Sequence, residues 1–404
     1  MTLLATAPTP PLAPAPPPRS HFVHVPTPGD HYSPATGSAV ITIIHELAKA
    51  HAAHHLPSSI IVAKGTTAGY PPYPAGTLLE ANLPLALPSK PKRLADAALA
   101  RLLLARPFSA NLYANIPSVL PHQFDGTLFL HNAPAPIPLL RKKLPHARLV
   151  LYAHNQLFNT YTPREIRHIL AHADAILCVS NFLAKDLATR AATASPKIKT
   201  VLNPVDTDTF SPAPSPPTGI PTILFLGRML PEKGPDLLLK AAAQIATPNR
   251  PFTLRLVGSQ NFNAQDPLTP YEQSLRSLAA HPALAGRTQF LPFTPRQKLP
   301  DLYRSASLFV VPSNWDEPFG LTVAEALASG LPTIASNRGG IPEAAENAAL
   351  YFSPPNTDQL AAHLADLLDN PDHRTALAAK SRARALQLST AAQYAALTKA
   401  LLLP

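Results

Sequence analysis

Two short stretches of this chain place fixed charges where a strand gives way to a helix. In ILFLGRMLPEKG an apolar run, Ile223 to Leu226, stops at Gly227 and is followed by Arg228, Lys233 and Gly234. In PSNWDEPFGLTVAEALASGLP, Glu317 and Glu325 flank Pro318-Phe319-Gly320 with seven residues between them. Arginine supplies a permanent, forked donor and lysine a compact point charge. Together they suit a diphosphate and can offset the charge that develops as it leaves. From Phe319 onward the spacing predicts a helix with Gly320 near its N-terminus, where free amides and the dipole favour phosphate or sugar oxygens. Glu325, early in that helix, can accept from two vicinal ribose hydroxyls. Glu317, ahead of the turn, can reach a transferred sugar. Each stretch taken singly also reads as a solvated turn or a helix surface. Taken together, both fall at the carboxyl ends of strands, where an open α/β sheet binds its ligands.

The elements that must position these residues recur along the whole chain. Apolar runs appear at Phe22–Val25, Ile60–Ala63, Leu128–Leu130, Leu149–Tyr152, Ile176–Val179 and Thr200–Leu202. Segments with helical spacing, such as Ser38–Ala53 and Phe182–Ala192, lie between them. Continuous apolar runs without alternation fit parallel strands buried on both faces, and the βαβα order predicts a doubly wound sheet. A proline-rich linker is expected over 206–221, with SPAPSPPTGIP (211–221) as its stiffest part. The pattern then restarts, with strands at 222–226, 253–257, 288–291, 308–312 and 332–335 and helices opening near 234 and 270. The fold class is therefore α/β, with two doubly wound Rossmann-like domains facing a cleft, over 21–205 and 222–388. Residues 1–20 read as a disordered proline-rich tail, and 389–404 as a helix crossing back to the first domain.

Bulk properties bound the partners. A chain of 404 residues with a 46% apolar share suits two globular domains. The net charge of +10 sits wholly in residues 1–200, which carry 18 Lys and Arg against 8 Asp and Glu; residues 201–404 carry 16 against 16. A basic first half attracts anionic partners such as a phospholipid surface, a polyprenyl-phosphate carrier or an acidic glycan. No recognition helix, zinc module or aromatic–basic RNA motif accompanies it, so nucleic acid is not an expected partner. No apolar stretch reaches the length of a membrane span, and the N-terminus lacks the basic and apolar regions of a signal peptide. The single cysteine, Cys178, reads as a packed small hydrophobe in a reducing compartment. The expected location is cytoplasmic, with peripheral contact at the inner membrane face as the membrane option.

The second half resembles the retaining family-4 glycosyltransferases of the GT-B fold through FLGRMLPEKG, LRLVG, LYRSASLFVVPS, EPFGLTVAEALASGLP and SNRGGIPE. The first half resembles them more loosely through LFLHNAP, LYAHN, ADAILCVSNF and LNPVDTDTF, in the manner of the bacterial spore-coat and cell-surface glycan branch. The resemblance implies a nucleotide-sugar donor and a glycan, lipid-linked or small-molecule acceptor. UDP is favoured over GDP or ADP, and transfer is retaining, on the same face and without a metal or other cofactor. It implies that Arg228 and Lys233 hold the diphosphate and that Glu317 contacts the donor sugar. Phe319, Gly320 and Leu321 would supply backbone contacts and Glu325 the ribose contact. Phe293 and Thr294 would lie by the nucleobase, with Gly227 at the strand end. Gly37 and Ser38 would form the first-domain loop near the phosphates, and His154 would face the reacting centre. The pattern departs from the family at SPATGSA, which holds one glycine, and at Pro204, Pro318 and Thr390. Two other readings stay open at this point: a sugar-nucleotide epimerase or hydrolase of the same shape, and a catalytically silent scaffold.

Other features have plain readings. Asp206-Thr207-Asp208 spells a metal-binding carboxylate pair but follows a strand just before the linker. His45-Glu46 lacks the second histidine of a zinc site. His51, His54 and His55 are expected at a solvated helix end. Lys233 and Glu325 are both expected to lie exposed in the cleft.

Overall fold

The computed structural model describes residues 21–101, 106–193, 195–215, 217–261 and 263–402. The proline-rich stretch 1–20 lies outside the described residues. The first unit contains β1 (Phe22–Val25), β2 (Ser58–Ala63), β3 (Thr77–Ala81), β4 (Thr127–His131), β5 (Arg148–Ala153), β6 (Ala175–Cys178) and β7 (Ile198–Thr200). The second contains β8 (Thr222–Leu226), β9 (Thr253–Val257), β10 (Thr288–Leu291), β11 (Leu308–Val311), β12 (Thr333–Ser336) and β13 (Ala349–Phe352). They pair in parallel into two sheets, β3-β2-β1-β4-β5-β6-β7 and β10-β9-β8-β11-β12-β13. Central strands are buried along their whole length, as in β2, β4 and β11, because helices cover both faces.

This order fixes where a ligand can sit. In the first sheet β1 lies between β2 and β4, so successive crossovers leave in opposite directions. In the second, β8 lies in the same way between β9 and β11. Each reversal opens a crevice beyond the carboxyl ends of the strands. The two crevices face each other across one cleft, lined by Thr27 and Asn132 on one side and by Gly227 and Ser313 on the other.

The strand assignment read from the sequence is adjusted at three places. The strand expected at Thr200–Leu202 is formed by Ile198–Thr200 instead. Two edge strands, β3 and β13, are not marked by continuous apolar burial. The first, TLLEA, is exposed at Thr77 and Glu80, and an edge strand needs no unbroken apolar run.

The chain passes between the units at two adjacent places. Val205 pairs in parallel with Ser389, and its N–H donates to the Leu388 carbonyl at 2.9 Å. Beyond Leu388 the helix Thr390–Leu402 lies on the first unit. Thr390 Oγ1 donates to Glu46 Oε2 at 2.6 Å, Gln393 Nε2 donates to the Tyr152 hydroxyl at 3.1 Å, and Tyr394 stacks on His54. Residues 206–210 are held as well. Asp206 Oδ2 accepts from Lys49 Nζ at 2.5 Å, its Oδ1 accepts from the Asp208 and Thr209 amides, and Phe210 is buried. Asp206 is thus spent on holding the crossover to the helix Ala39–Ala53.

Candidate active site

The phosphate side of the cleft is built by a strand end and a tight turn. β8 stops at Leu226, and Gly227 N–H continues its ladder to the Val257 carbonyl at 3.0 Å. Gly258 passes so close that a Cβ there would lie 2.0 Å from the Gly227 carbonyl oxygen, at a φ of +132°. No other residue type fits that position. Arg228 Nε donates to the Gln260 carbonyl at 2.9 Å. The chain then forms a 3₁₀ turn, Pro231–Lys233, ending at Gly234 with φ +66°. A Cβ on Gly234 would meet the Pro312 carbonyl oxygen at 2.1 Å. That close approach brings Lys233 beside the loop after β11. Its Nζ lies 2.6 Å from Glu317 Oε1 and 5.1 Å from the Trp315 ring centroid.

The carboxylate side is equally specified. Gly340 N–H donates to the Glu317 carbonyl at 2.6 Å. A Cβ on Gly340 would collide with the Pro318 carbonyl oxygen at 2.2 Å, so SNRGG clamps the Glu317–Phe319 backbone. Gly320, at φ +96°, then opens the helix Leu321–Ala328, whose first residues Leu321 and Thr322 line the cleft. The Phe319 side chain is buried, which leaves its backbone at the wall. Ser313 Oγ donates to Glu317 Oε1 at 2.8 Å. Glu325 accepts from Tyr303 OH at 3.0 Å through Oε2 and forms an ion pair with Arg296 through Oε1. Burial, and then the adjacent Glu325 carboxylate, push the Tyr303 hydroxyl well above its ordinary range, so it stays a donor. Arg296 itself lies 4.9 Å from the Phe210 ring centroid.

The expected exposure of the charged groups needs correction. Glu325 is 2% exposed and Glu317 8%, although both line the cleft. Each carboxylate is paired with a cation and accepts a further hydroxyl bond, the condition for burying a charge. Lys233 keeps a quarter of its side chain exposed.

The first unit contributes the opposite wall. Ser38 precedes the helix Ala39–Ala53, and its hydroxyl donates to Asp30 Oδ2 at 3.1 Å. Burial raises the Asp30 carboxyl, and the Ser38 bond opposes that rise. Gly37 and Ser38 both line the cleft. His154 follows β5, and its backbone N–H donates to Asn132 Oδ1 at 2.8 Å. His154 Nε2 lies 2.8 Å from His131 Nδ1. Burial lowers the His154 imidazole to about 3, so it is neutral at pH 7. The solvated helix end expected at His51 is also corrected. His51 is fully buried and stacks on Phe22 at 4.2 Å; His54 and His55 are exposed.

The site residues expected from the sequence all line one cleft of about 700 Å³. On the second unit's side it is lined by Gly227, Arg228, Lys233, Phe293, Thr294 and the segment Glu317–Leu321 with Glu325. Phe293 is placed by its N–H, which donates to Ser259 Oγ at 3.0 Å. Sequence reasoning missed several partners: Arg296, Tyr303, Ser313, Asn132 and Asp30. Arg296 had a usable signal, standing two residues beyond Thr294. Ser313, in VVPSNW directly after a strand, had another. The link from Tyr303 to Glu325 had none.

Two facing Rossmann-like sheets with cations, carboxylates and helix amides converging between them define a GT-B glycosyltransferase. The glycosyl transferases group 1 profile matches residues 206–384, and the glycosyltransferase family 4 profile matches residues 40–209. The chain belongs to this glycosyltransferase family. It is 30% identical to spore coat protein SA of Bacillus subtilis over 63% of this chain and 72% of that protein. It is 34% identical to a D-inositol 3-phosphate glycosyltransferase of Thermobispora bispora over 51% of this chain, spanning half the length of that relative. Among solved structures, sucrose-phosphate synthase from Thermosynechococcus elongatus superposes with a TM-score of 0.70 at 21% identity, covering 95% of this chain and 99% of that one. Anabaena HepE, solved with UDP and glucose, superposes with a TM-score of 0.66 at 19% identity, covering 94% and 98%. These two likenesses bear on the fold.

Proposed function

We propose that the protein transfers a sugar from a UDP-sugar to an acceptor hydroxyl with retention of configuration and without a metal ion. The observation that carries this is the Lys233–Glu317 pair, set beside Arg228 and across the cleft wall from the anchored Glu325. In this reading Arg228 and Lys233 hold the diphosphate. Glu325 has one bond on each oxygen and retains lone pairs for two ribose hydroxyls. Glu317 takes both its side-chain bonds on Oε1, and in this reading Oε2 accepts from donor-sugar hydroxyls. Phe293 and Thr294 border the nucleobase. UDP is chosen because a neighbour of the same fold was solved with UDP and glucose.

The chemistry balances within the cleft. The acceptor oxygen bonds to the anomeric carbon on the face from which the diphosphate leaves. The carbon–oxygen bond to the diphosphate breaks, and the acceptor proton passes to a diphosphate oxygen. Lys233 and Arg228 offset the charge left on the leaving group. Closure of the two units excludes water and limits hydrolysis of the donor.

The acceptor, a glycan, lipid-linked or small molecule, lies against the basic first unit. We place the protein in the cytoplasm, with peripheral contact to an anionic membrane. No helix among the described residues is long and apolar enough to cross a membrane. The helix Lys90–Arg101 exposes Lys90, Lys92 and Arg93 beside Leu94, which is 63% exposed. Pelleting with anionic but not neutral vesicles, weakened by salt, would support the contact. No pelleting with either would remove it.

Calorimetry with UDP, GDP, ADP and their sugars, with and without EDTA, tests the donor site. Binding of a UDP-sugar that survives EDTA supports the reading; binding of none sinks it. Product analysis by NMR then distinguishes transfer from the alternatives. An α-linked product from an α-donor is expected. An inverted product, or epimerised or hydrolysed donor alone, overturns it.

A further inference from the structure

The wall that the first unit turns to the cleft differs in chemistry from the rest of that unit. It begins at a turn, Thr27-Pro28-Gly29-Asp30, in which Asp30 N–H donates to the Thr27 carbonyl at 3.1 Å. Gly29 stands at φ +90°, the left-handed angle that the third position of a type II turn requires. A Cβ there would also lie 2.3 Å from the Leu85 carbonyl oxygen, so the turn is pinned, and Asp30 with it. Asp30 lines the cleft. Its Oδ2 accepts from Ser38 Oγ at 3.1 Å. Its Oδ1 has no hydrogen-bond partner among the described residues and is not sealed from solvent.

Asn132 supplies the complementary group. Its Oδ1 accepts from His154 N–H at 2.8 Å, which makes Nδ2 the donating end of the amide. Nδ2 likewise has no partner among the described residues and is not sealed, and Asn132 lines the cleft.

The charges divide between the units. Among the described residues the cations that line the cleft are Arg228, Lys233 and Arg296, all from the second unit. In the first unit Lys49 and Arg106 are paired with Asp206 and Glu165, and Lys90, Lys92 and Arg93 are exposed outside the cleft. Burial keeps His154 neutral at pH 7, so Asp30 is the one charged side chain on this wall among the described residues. A hydroxyl can donate to Asp30 and accept from Asn132, whereas a phosphate dianion can only accept. Beside Asp30 that dianion would meet a like charge with no first-unit cation to offset it. Burial already raises the Asp30 carboxyl against the Ser38 bond, and a bound anion would raise it further. The anion expected at Gly37 and Ser38 is the donor diphosphate, not a second phosphate.

We infer that Asp30 binds the acceptor through a hydroxyl, and that the part of the acceptor entering the cleft is an uncharged, hydroxyl-bearing ring and not a phosphorylated one. Asp30 accepts a hydrogen bond and takes no proton, so the course of the transfer is unchanged. A charged portion of the acceptor stays outside the cleft, against the basic surface. This role of Asp30 rests on the reading of the cleft as a glycosyl-transfer site.

Saturation-transfer difference NMR on the whole chain saturated with UDP detects weak ligands. Glucose, mannose and myo-inositol are the uncharged probes, each titrated beside its monophosphate. At least one uncharged probe is expected to bind, about tenfold more tightly than its monophosphate, the effect of one like charge in a half-exposed site. Asp30→Asn keeps the shape and removes the charge. It should weaken the uncharged probe and bring the two within about threefold of each other. Thermal melts check that the variant folds, and Asp30→Ser replaces it if it does not. A monophosphate that binds as tightly as its uncharged partner, or more tightly, overturns the inference. So does a preference unmoved by the Asp30 variant, or binding of none of the probes to the UDP-saturated protein. Failure of UDP itself to bind would remove the donor reading, and the same pairs titrated into the ligand-free chain would then decide the preference of the wall by itself.

Discussion

Arg296 and Glu325 lie 29 residues apart in sequence and form an ion pair at the wall of the cleft, with Tyr303 bonded to the other carboxylate oxygen. Glu325 is therefore a structural anchor as well as a group facing the cleft. Glu325→Ala would leave the Arg296 guanidinium without its carboxylate and Tyr303 without its acceptor. Breaking a fully buried pair costs about 3–5 kcal/mol; Arg296 is 21% exposed, so a loss of about 2–3 kcal/mol is expected. Glu325→Gln keeps the shape and should cost less while still weakening donor binding. Urea melts and UDP calorimetry on both variants check this. An alanine variant as stable as the parent would show that the pair is not formed.

Lys233 should separate function from stability more cleanly. Its side chain is a quarter exposed, and Glu317 keeps its bond from Ser313 when the lysine is removed. Lys233→Ala should reduce kcat/KM by about 10²-fold, the usual effect of deleting one group that stabilises developing charge. The melting temperature should shift far less than in Glu325→Ala. Steady-state rates with thermal melts on the same preparation measure both. Retention of full activity would remove Lys233 from the diphosphate site.

The fold was legible in the sequence where one physical signal dominated. β1 and β8 are nearly continuous apolar runs, broken in β1 by His24, because both faces of each strand are covered, and their ends are marked by a turn or a glycine. β3 is an edge strand with a mixed pattern, so that signal was missing. Arg228, Lys233, Glu317 and Glu325 were readable because each stands at a junction that topology places at the cleft. Their burial was not readable. The exposure of Glu325 depends on Arg296 and Tyr303, which reach it only through the packing of the loop and helix after β10. The pairing of His24 with His131 likewise needs the sheet order β1-β4-β5, which no local pattern reveals.

Glu343 ties the two units together. Its carboxylate accepts from the N–H groups of Asn181 at 2.6 Å and Phe182 at 2.7 Å, the first turn of the helix Asn181–Ala191. Ser180 Oγ already accepts from Leu183 N–H in the same turn, so Glu343 completes the cap. A carboxylate at that end is favoured by the amides and the dipole, and loss of such a cap costs about 1 kcal/mol. Glu343→Ala should therefore shift the units towards open arrangements with little change in overall fold. Small-angle scattering should show a larger radius of gyration, and the KM for the acceptor should rise. Unchanged scattering would mean that the crossovers at Val205 and Ser389 hold the units by themselves.

Asp206 gives the crossover a pH dependence with a definite sign. Burial pushes its carboxyl up, but the Lys49 ammonium at 2.5 Å and the bonds from Thr209 outweigh this and bring it down to about 2. A folded-state value below that of the unfolded chain stabilises the fold at every pH above the unfolded value, near 4. The contribution fades as pH falls from about 4 through about 2, where the folded carboxylate takes its proton. Full linkage over such a shift would approach ~2.6 kcal/mol, but the Lys49 side chain is 37% exposed, so about 1 kcal/mol is expected after screening. Lys49→Met should remove most of it by deleting the counter-charge. Urea unfolding at pH 7, 4 and 3 should then show the difference between parent and variant shrinking as pH drops. A difference constant across that range would place the stabilising effect of Lys49 in the packing of its aliphatic stem on the helix Ala39–Ala53, not in its charge.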